Sequence, residues 1–234
     1  MLAKRPPMGW NSWNTFGADI SEALILETAD AMVEKGYRDA GYEYVVIDDC
    51  WALHTRDEAG RLAADPEKFP RGMKFLADSL HAKGLKFGMY SCAGTHTCAG
   101  YPSSYDHEYT DAQTFADWGV DFLKYDFCNF PANADCKSRY LRMSMALKAT
   151  GRDWGVEEPW KWMASVGVQM YRSTGDINDN FKSVKDIAVS QIPNLCMSGA
   201  GCFNDPDMLV VGMYGKGNVG FGGCSDLEYK THFA

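Results

Sequence analysis

The chain has 234 residues, 46% hydrophobic and 13% aromatic, enough for one sizeable core and near the lower end for an α/β barrel. Its net charge of −8, with no Lys/Arg stripe, argues against a nucleic-acid or anionic-membrane partner. No apolar run reaches the roughly 18–20 residues of a membrane span, and the opening MLAKRPPMGW lacks the apolar stretch of a signal peptide, which leaves cytoplasmic and secreted locations both open.

In chain order, Ser21 is placed to cap a helix whose Ile25, Ala29, Met32 and Val33 share one face, with Gly36 ending it. Tyr44 to Ile47 is a continuous apolar run that stops at Asp48 and Asp49. A helix around Phe75 to Lys83 closes at Gly84, and Lys86 to Tyr90 reads as a strand. A helix from Asp111 to Trp118 ends at Gly119. Val120 to Tyr125 is a strand ending in Asp126, and Lys137 to Ala149 is a further helix. Gly212 to Gly223 reads as a glycine-rich, mobile loop.

Repeated strand–loop–helix units predict a parallel sheet with apolar strands buried on both faces. Periodicity alone fits either a doubly wound sheet or a (β/α)8 TIM barrel. The barrel is favoured because strands end in polar or acidic residues: Asp48 and Asp49, Tyr90 and Ser91, Asp126, and later Asp176. No GxGxxG or phosphate-loop motif supports a nucleotide-binding sheet.

These acids, with the pair in Asn204-Asp205-Pro206-Asp207, are accompanied by Trp10, Trp13, Trp51, Tyr90, Tyr125, Phe127 and Phe203. Aromatic faces stack on the C–H faces of sugars, carboxylates accept from sugar hydroxyls, and glycosidic cleavage needs two carboxyl groups flanking the bond. Each residue alone also fits a helix cap, a turn or a core position. Asp48, Asp49, Asp126 and Asp205 could instead hold a metal, but no His accompanies them at ligand spacing. The eight cysteines form no CxxC pair, so a zinc ribbon is a weak reading, and the acids by themselves do not distinguish a glycosidase from a metal-dependent hydrolase.

PPMGWNSWNTFG (Pro6 to Gly17), IDDCW (Ile47 to Trp51), LKYDFCN (Leu123 to Asn129), RSTGDI (Arg172 to Ile177) and NDPDML (Asn204 to Leu209) occur in that order. Together they resemble glycoside hydrolase family 27, the α-galactosidase and α-N-acetylgalactosaminidase family, over essentially the whole chain. The resemblance implies a (β/α)8 barrel followed by an antiparallel β-domain, a galactose-containing saccharide as substrate, and a metal-free double displacement with retention. It implies Asp126 as nucleophile and Asp176 as acid/base, with the two carboxyls roughly 5–5.5 Å apart. Lys124 and Arg172 would favour ionised Asp126, and esterifying Asp126 would then make Asp176 a better base. Asp48 and Asp49 would hold galactose hydroxyls. Trp13 and Trp51 would shape the pocket, Tyr90, Lys124, Arg172 and Asp207 would touch sugar, and Met208 would form wall. A Cys98–Cys128 disulfide is implied too, with two reduced thiols as the alternative. Cys50 finds Ala18 where a partner often stands, so it is expected as a buried free thiol.

Two departures follow. Near Asp153-Trp154 about seven residues present in the family are missing, which predicts loss of the fifth strand. The chain then stops at Thr231 to Ala234, inside a predicted seventh helix and before the eighth strand and the β-domain. Residues 1–234 therefore read as one incomplete catalytic barrel, expected to have little activity alone. An α-N-acetylgalactosaminidase, a β-L-arabinopyranosidase and an inactive sugar-binding fragment stay open as alternatives, with Val156 leaning towards galactose. Oligomeric state is not legible, a homo-oligomer included.

Overall fold

The computed structural model describes residues 4–152, 155–157 and 163–234. Seven strands alternate with helices: β1 (Gly9–Asn11), α1 (Trp13–Phe16), α2 (Glu22–Glu34), β2 (Tyr44–Val46), α3 (Gly72–Ala82), β3 (Lys86–Cys92), α4 (Glu108–Trp118) and β4 (Phe122–Asp126) come first. Then follow α5 (Cys136–Ala149), β5 (Gly155–Glu157), α6 (Met163–Val166), β6 (Met170–Arg172), α7 (Phe181–Gln191), a 3₁₀ turn (Ile192–Met197), β7 (Phe203–Asp205) and α8 (Asp226–Phe233).

The helices start and stop where local chemistry directs. Ser21 Oγ accepts from the Leu24 N–H at 3.2 Å at the head of α2, and Gly119, at φ 86°, ends α4 in the left-handed conformation. The expected face of α2 is turned inward, with Ile25, Ala29 and Met32 buried and Val33 half-buried, and α3 buries Met73, Leu76, Ala77 and Leu80. They pack on Val45, Phe87, Met89 and Leu123 of the strands in one main cluster. Truncating Leu76 to Ala there would cost about 2–5 kcal/mol. A smaller cluster of Ile177, Val184 and Val210 sits apart, beside the last loops.

All strands are parallel, and the sheet order is β1-β2-β3-β4-β5-β6-β7. A doubly wound sheet reverses its order at a switch point. No reversal occurs here, so that alternative falls.

The expectation of a missing fifth strand is corrected. β5 fills the place between β4 and β6, pairing Gly155, Val156 and Glu157 with Phe122, Leu123 and Lys124. Ladder bonds use backbone groups, so any three extended residues can take the place. Its bond to β6 is thin, a single pair of Glu157 with Met170. The junction 153–154 itself lies outside the described residues, as does the side chain of Val156. Asp176 is also relocated: β6 ends at Arg172, and Asp176 follows on the loop rather than at the strand end.

Candidate active site

A cavity of about 530 Å³ opens where the C-terminal ends of the strands converge. Trp13, Asp48, Asp49, Tyr90, Lys124, Asp126, Arg172, Asp176, Asp207 and Met208 all line it. Thus residues at or just after the ends of β1 to β4 face residues at or after the ends of β6 and β7.

On the first side, Asp48 is held by three neighbours. Its Oδ2 accepts from Asn11 Nδ2 at 2.8 Å and from Lys124 Nζ at 2.7 Å, and its N–H donates to Ser12 Oγ at 3.0 Å. Lys124 stands two residues before Asp126 on β4, and strand alternation turns both toward the same side. Its ion pair in the structure is with Asp48, with both groups largely buried. Asp49 accepts from the Cys50 N–H at 2.7 Å and the Ala99 N–H at 2.9 Å. Burial nevertheless raises its carboxyl above the ordinary value, and the charge of Asp48 adds to this.

Asp126 is the last residue of β4. Tyr90 Oη donates to its Oδ2 at 2.9 Å, and the Phe127 N–H donates to Oδ1 at 2.7 Å, so both oxygens are oriented. Burial, then the charge of Asp126, pushes the Tyr90 phenol upward and keeps it a donor. Tyr140 Oη donates to the Asp126 carbonyl from α5 at 3.3 Å.

Opposite them, Arg172 Nη2 donates to Asp176 Oδ1 at 2.9 Å and to Asp207 Oδ2 at 2.7 Å. The two carboxylates differ sharply: the Asp176 side chain is 96% exposed and that of Asp207 4%. Asp207, at φ 87°, also accepts from the Ile177 and Met208 N–H groups, each at 2.7 Å. Burial raises its carboxyl pKa, opposed by the Arg172 charge.

Trp51 does not line the cavity. Cys50 adopts φ 71°, and the turn sends Trp51 down into the core, edge-on to Phe115 and Trp118. Its Nε1 donates to the Tyr90 carbonyl at 2.9 Å, so it supports the strand that presents Tyr90. Cys50 is a buried free thiol, pushed up to about 11 by burial and by Asp49.

A disulfide joins Cys98 and Cys128, with Cα atoms 5.0 Å apart, and braces the loop after β4 against the loop after β3. These loops touch so closely at Gly94 that a Cβ would lie 1.8 Å from the Cys128 carbonyl oxygen. Cys98, Cys128 and Asp126 converge, but the two sulfurs are bonded to each other and offer no thiolate to an ion. Among the described residues no other His, Cys, Asp or Glu group converges closely enough to hold one.

Asn14 and Ile177, within two of the motifs but given no role, and Val219, outside all of them, also line the cavity. Asn14 is buried, and its Nδ2 has no hydrogen-bond partner among the described residues. Its place in PPMGWNSWNTFG, directly after Trp13, was the available signal. Val219 comes from the glycine-rich loop, which carries no chemical signature.

The family model described as Alpha galactosidase A (Melibiase_2) matches residues 5–219. An α-galactosidase from Cyamopsis tetragonoloba is 47% identical over 241 aligned positions, covering 100% of this chain and 56% of its own length. The structure of an α-galactosidase from Saccharomyces cerevisiae superimposes with a TM-score of 0.90 at 38% identity, covering 99% of this chain and 56% of that one. A Saccharomyces cerevisiae α-galactosidase structure with raffinose gives a TM-score of 0.86 at 36% identity, with the same coverage of 99% and 56%. The chain spans about half the length of these relatives.

Proposed function

The chain belongs to the α-galactosidase family, glycoside hydrolase family 27, and on that premise we propose that it carries the active site of a retaining glycosidase that releases terminal α-linked galactose from oligosaccharides or glycoconjugates. The observation that carries this reading is the pairing of two unlike carboxylates on one cavity: Asp126, with both oxygens held, and Asp176, exposed on its own loop.

In this reading an Asp126 oxygen attacks the anomeric carbon as the bond to the leaving oxygen breaks. Asp176 gives that oxygen its proton, and the leaving group departs as an alcohol. Asp176, now a carboxylate, takes a proton from water, whose oxygen attacks the same carbon and frees galactose and Asp126. Tyr90 fixes the attacking carboxylate. Asp48, Asp49, Lys124, Arg172 and Asp207 bind sugar hydroxyls, and Trp13 and Met208 form wall. Trp51 acts through Tyr90 and does not touch sugar. No step calls for a metal or cofactor.

The seven strands in chain order fit seven of the eight of a (β/α)8 barrel, with the site at the C-terminal strand ends where such barrels keep their chemistry. Asp126→Asn tests the reading. Turnover of an aryl α-galactoside should fall by about 10³-fold or more, and wild-type activity in that variant would refute the assignment. Parallel assays with α-N-acetylgalactosaminide and β-arabinopyranoside substrates separate galactose from the other specificities of the family.

A further inference from the structure

Asp179 is fully buried, belongs to none of the motifs and does not line the cavity. Its carboxylate accepts from Tyr229 Oη of α8, at 2.7 and 2.9 Å to its two oxygens, and from the Gly215 N–H at 2.7 Å. Its backbone continues the ties: the Asp179 N–H donates to the Val219 carbonyl at 3.0 Å, and the Gly223 N–H donates to the Asp179 carbonyl at 2.7 Å. One residue therefore grips the glycine-rich loop at both ends and in its middle.

The far side of that loop reaches back to α1, the short helix after β1. The Val219 N–H donates to the Asn14 carbonyl and the Asn218 N–H to the Thr15 carbonyl, each at 3.2 Å. Within the loop, backbone packs on backbone: a Cβ at Gly220 would lie 2.4 Å from the Gly215 carbonyl oxygen, and one at Gly223 2.7 Å from the Gly215 nitrogen. Such a segment has few side chains to fix its shape and depends on its outside anchors. Asp179 also stands three residues after Asp176, and Ile177 between them is tied to Asp207.

We propose that Asp179 is a positioning residue: it holds the glycine-rich loop against α1, so that Val219 stays in the cavity wall and Asp176 stays aimed at the leaving oxygen. This rests on the glycosidase reading above. Asp179 touches no substrate and acts through the loop and the short segment back to Asp176.

The test pairs two measurements on the full chain, for Asp179→Asn and the milder Tyr229→Phe. The first is backbone hydrogen exchange. Exchange across 212–223 should rise while the α2 and α3 segments stay as in the parent; unchanged exchange in the loop for both variants overturns the proposal.

The second is kcat/KM on two α-galactosides, one with a dinitrophenyl leaving group and one with a sugar alcohol. The dinitrophenolate needs little help from an acid, whereas the sugar does. A misaimed Asp176 should cost at least about tenfold more on the sugar substrate than on the dinitrophenyl one. Equal losses on both would mean fewer folded molecules and would overturn the positioning role. If the parent cleaves neither substrate, as an incomplete barrel would, the exchange result alone decides whether Asp179 anchors the loop, and unchanged exchange overturns the proposal.

Discussion

Lys124 and Asp48 form the cavity's most enclosed ion pair on the first side. Removing one partner strands the other charge in a poorly solvated place. Lys124→Met should therefore lower stability by about 3–5 kcal/mol and abolish galactose binding, read by thermal unfolding and by titration with the sugar. Tyr90→Phe is gentler. It removes one hydrogen bond from Asp126 and leaves the ring in place, so kcat should drop about 10-fold to 100-fold with little change in KM. An unchanged kcat would mean that the Phe127 N–H alone suffices to orient the carboxylate. At this scale the acids were legible as cavity-lining residues because the motifs single out each of them, although Asp176 and Asp207 lie on loops beyond β6 and β7. Trp51 was not, because the left-handed turn at Cys50 depends on how the chain packs after Asp49. Asp179 was equally hidden, since its partners Gly215 and Tyr229 are distant in sequence.

Among the elements, α8 carries a pH-sensitive contact. His232 Nε2 accepts from the Val210 N–H at 3.2 Å, which requires the neutral ring, and burial lowers its pKa from the ordinary 6.5 despite the Asp179 charge. The unfolded chain takes up this proton near 6.5, the folded chain only at lower pH. Between the two the unfolded state holds more protons, so stability falls as pH drops through that window. His232→Gln keeps an acceptor for Val210 without the titration, and its stability should be flatter there in denaturant melts at successive pH values. The long helices α2 to α5 and the strands β3 and β4 were readable because each spans enough residues to reveal its period or apolar run, and the three-residue β2 because its apolar run continues through Ile47. β1, β6 and β7 are three residues each, too short for either. β5 was expected to be lost because residues are missing near Asp153-Trp154, yet a ladder made by backbone lets Gly155, Val156 and Glu157 take the place.

The cavity joins both halves of the molecule, Asp48, Asp49 and Asp126 on one side and Arg172, Asp176 and Asp207 on the other. A sugar held by both should stabilise the whole fold. Galactose at 100 times its Kd should add about 2.7 kcal/mol, seen as a rise in melting temperature, and its C4 epimer glucose should add much less. EDTA should change neither the melting temperature nor turnover.

Each strand pairs with the strand made just before it. The chain therefore never waits for a distant partner to begin its sheet, and β1 to β4 with α2 to α4 can settle while later residues are still leaving the ribosome. The Asp126 side of the cavity is built first. The Asp176 side, resting on the small cluster of Ile177, Val184 and Val210, arrives last. Destabilising substitutions after β5 should thus yield chains whose first half is folded and whose catalysis is absent, a failure of completion during synthesis rather than of collapse.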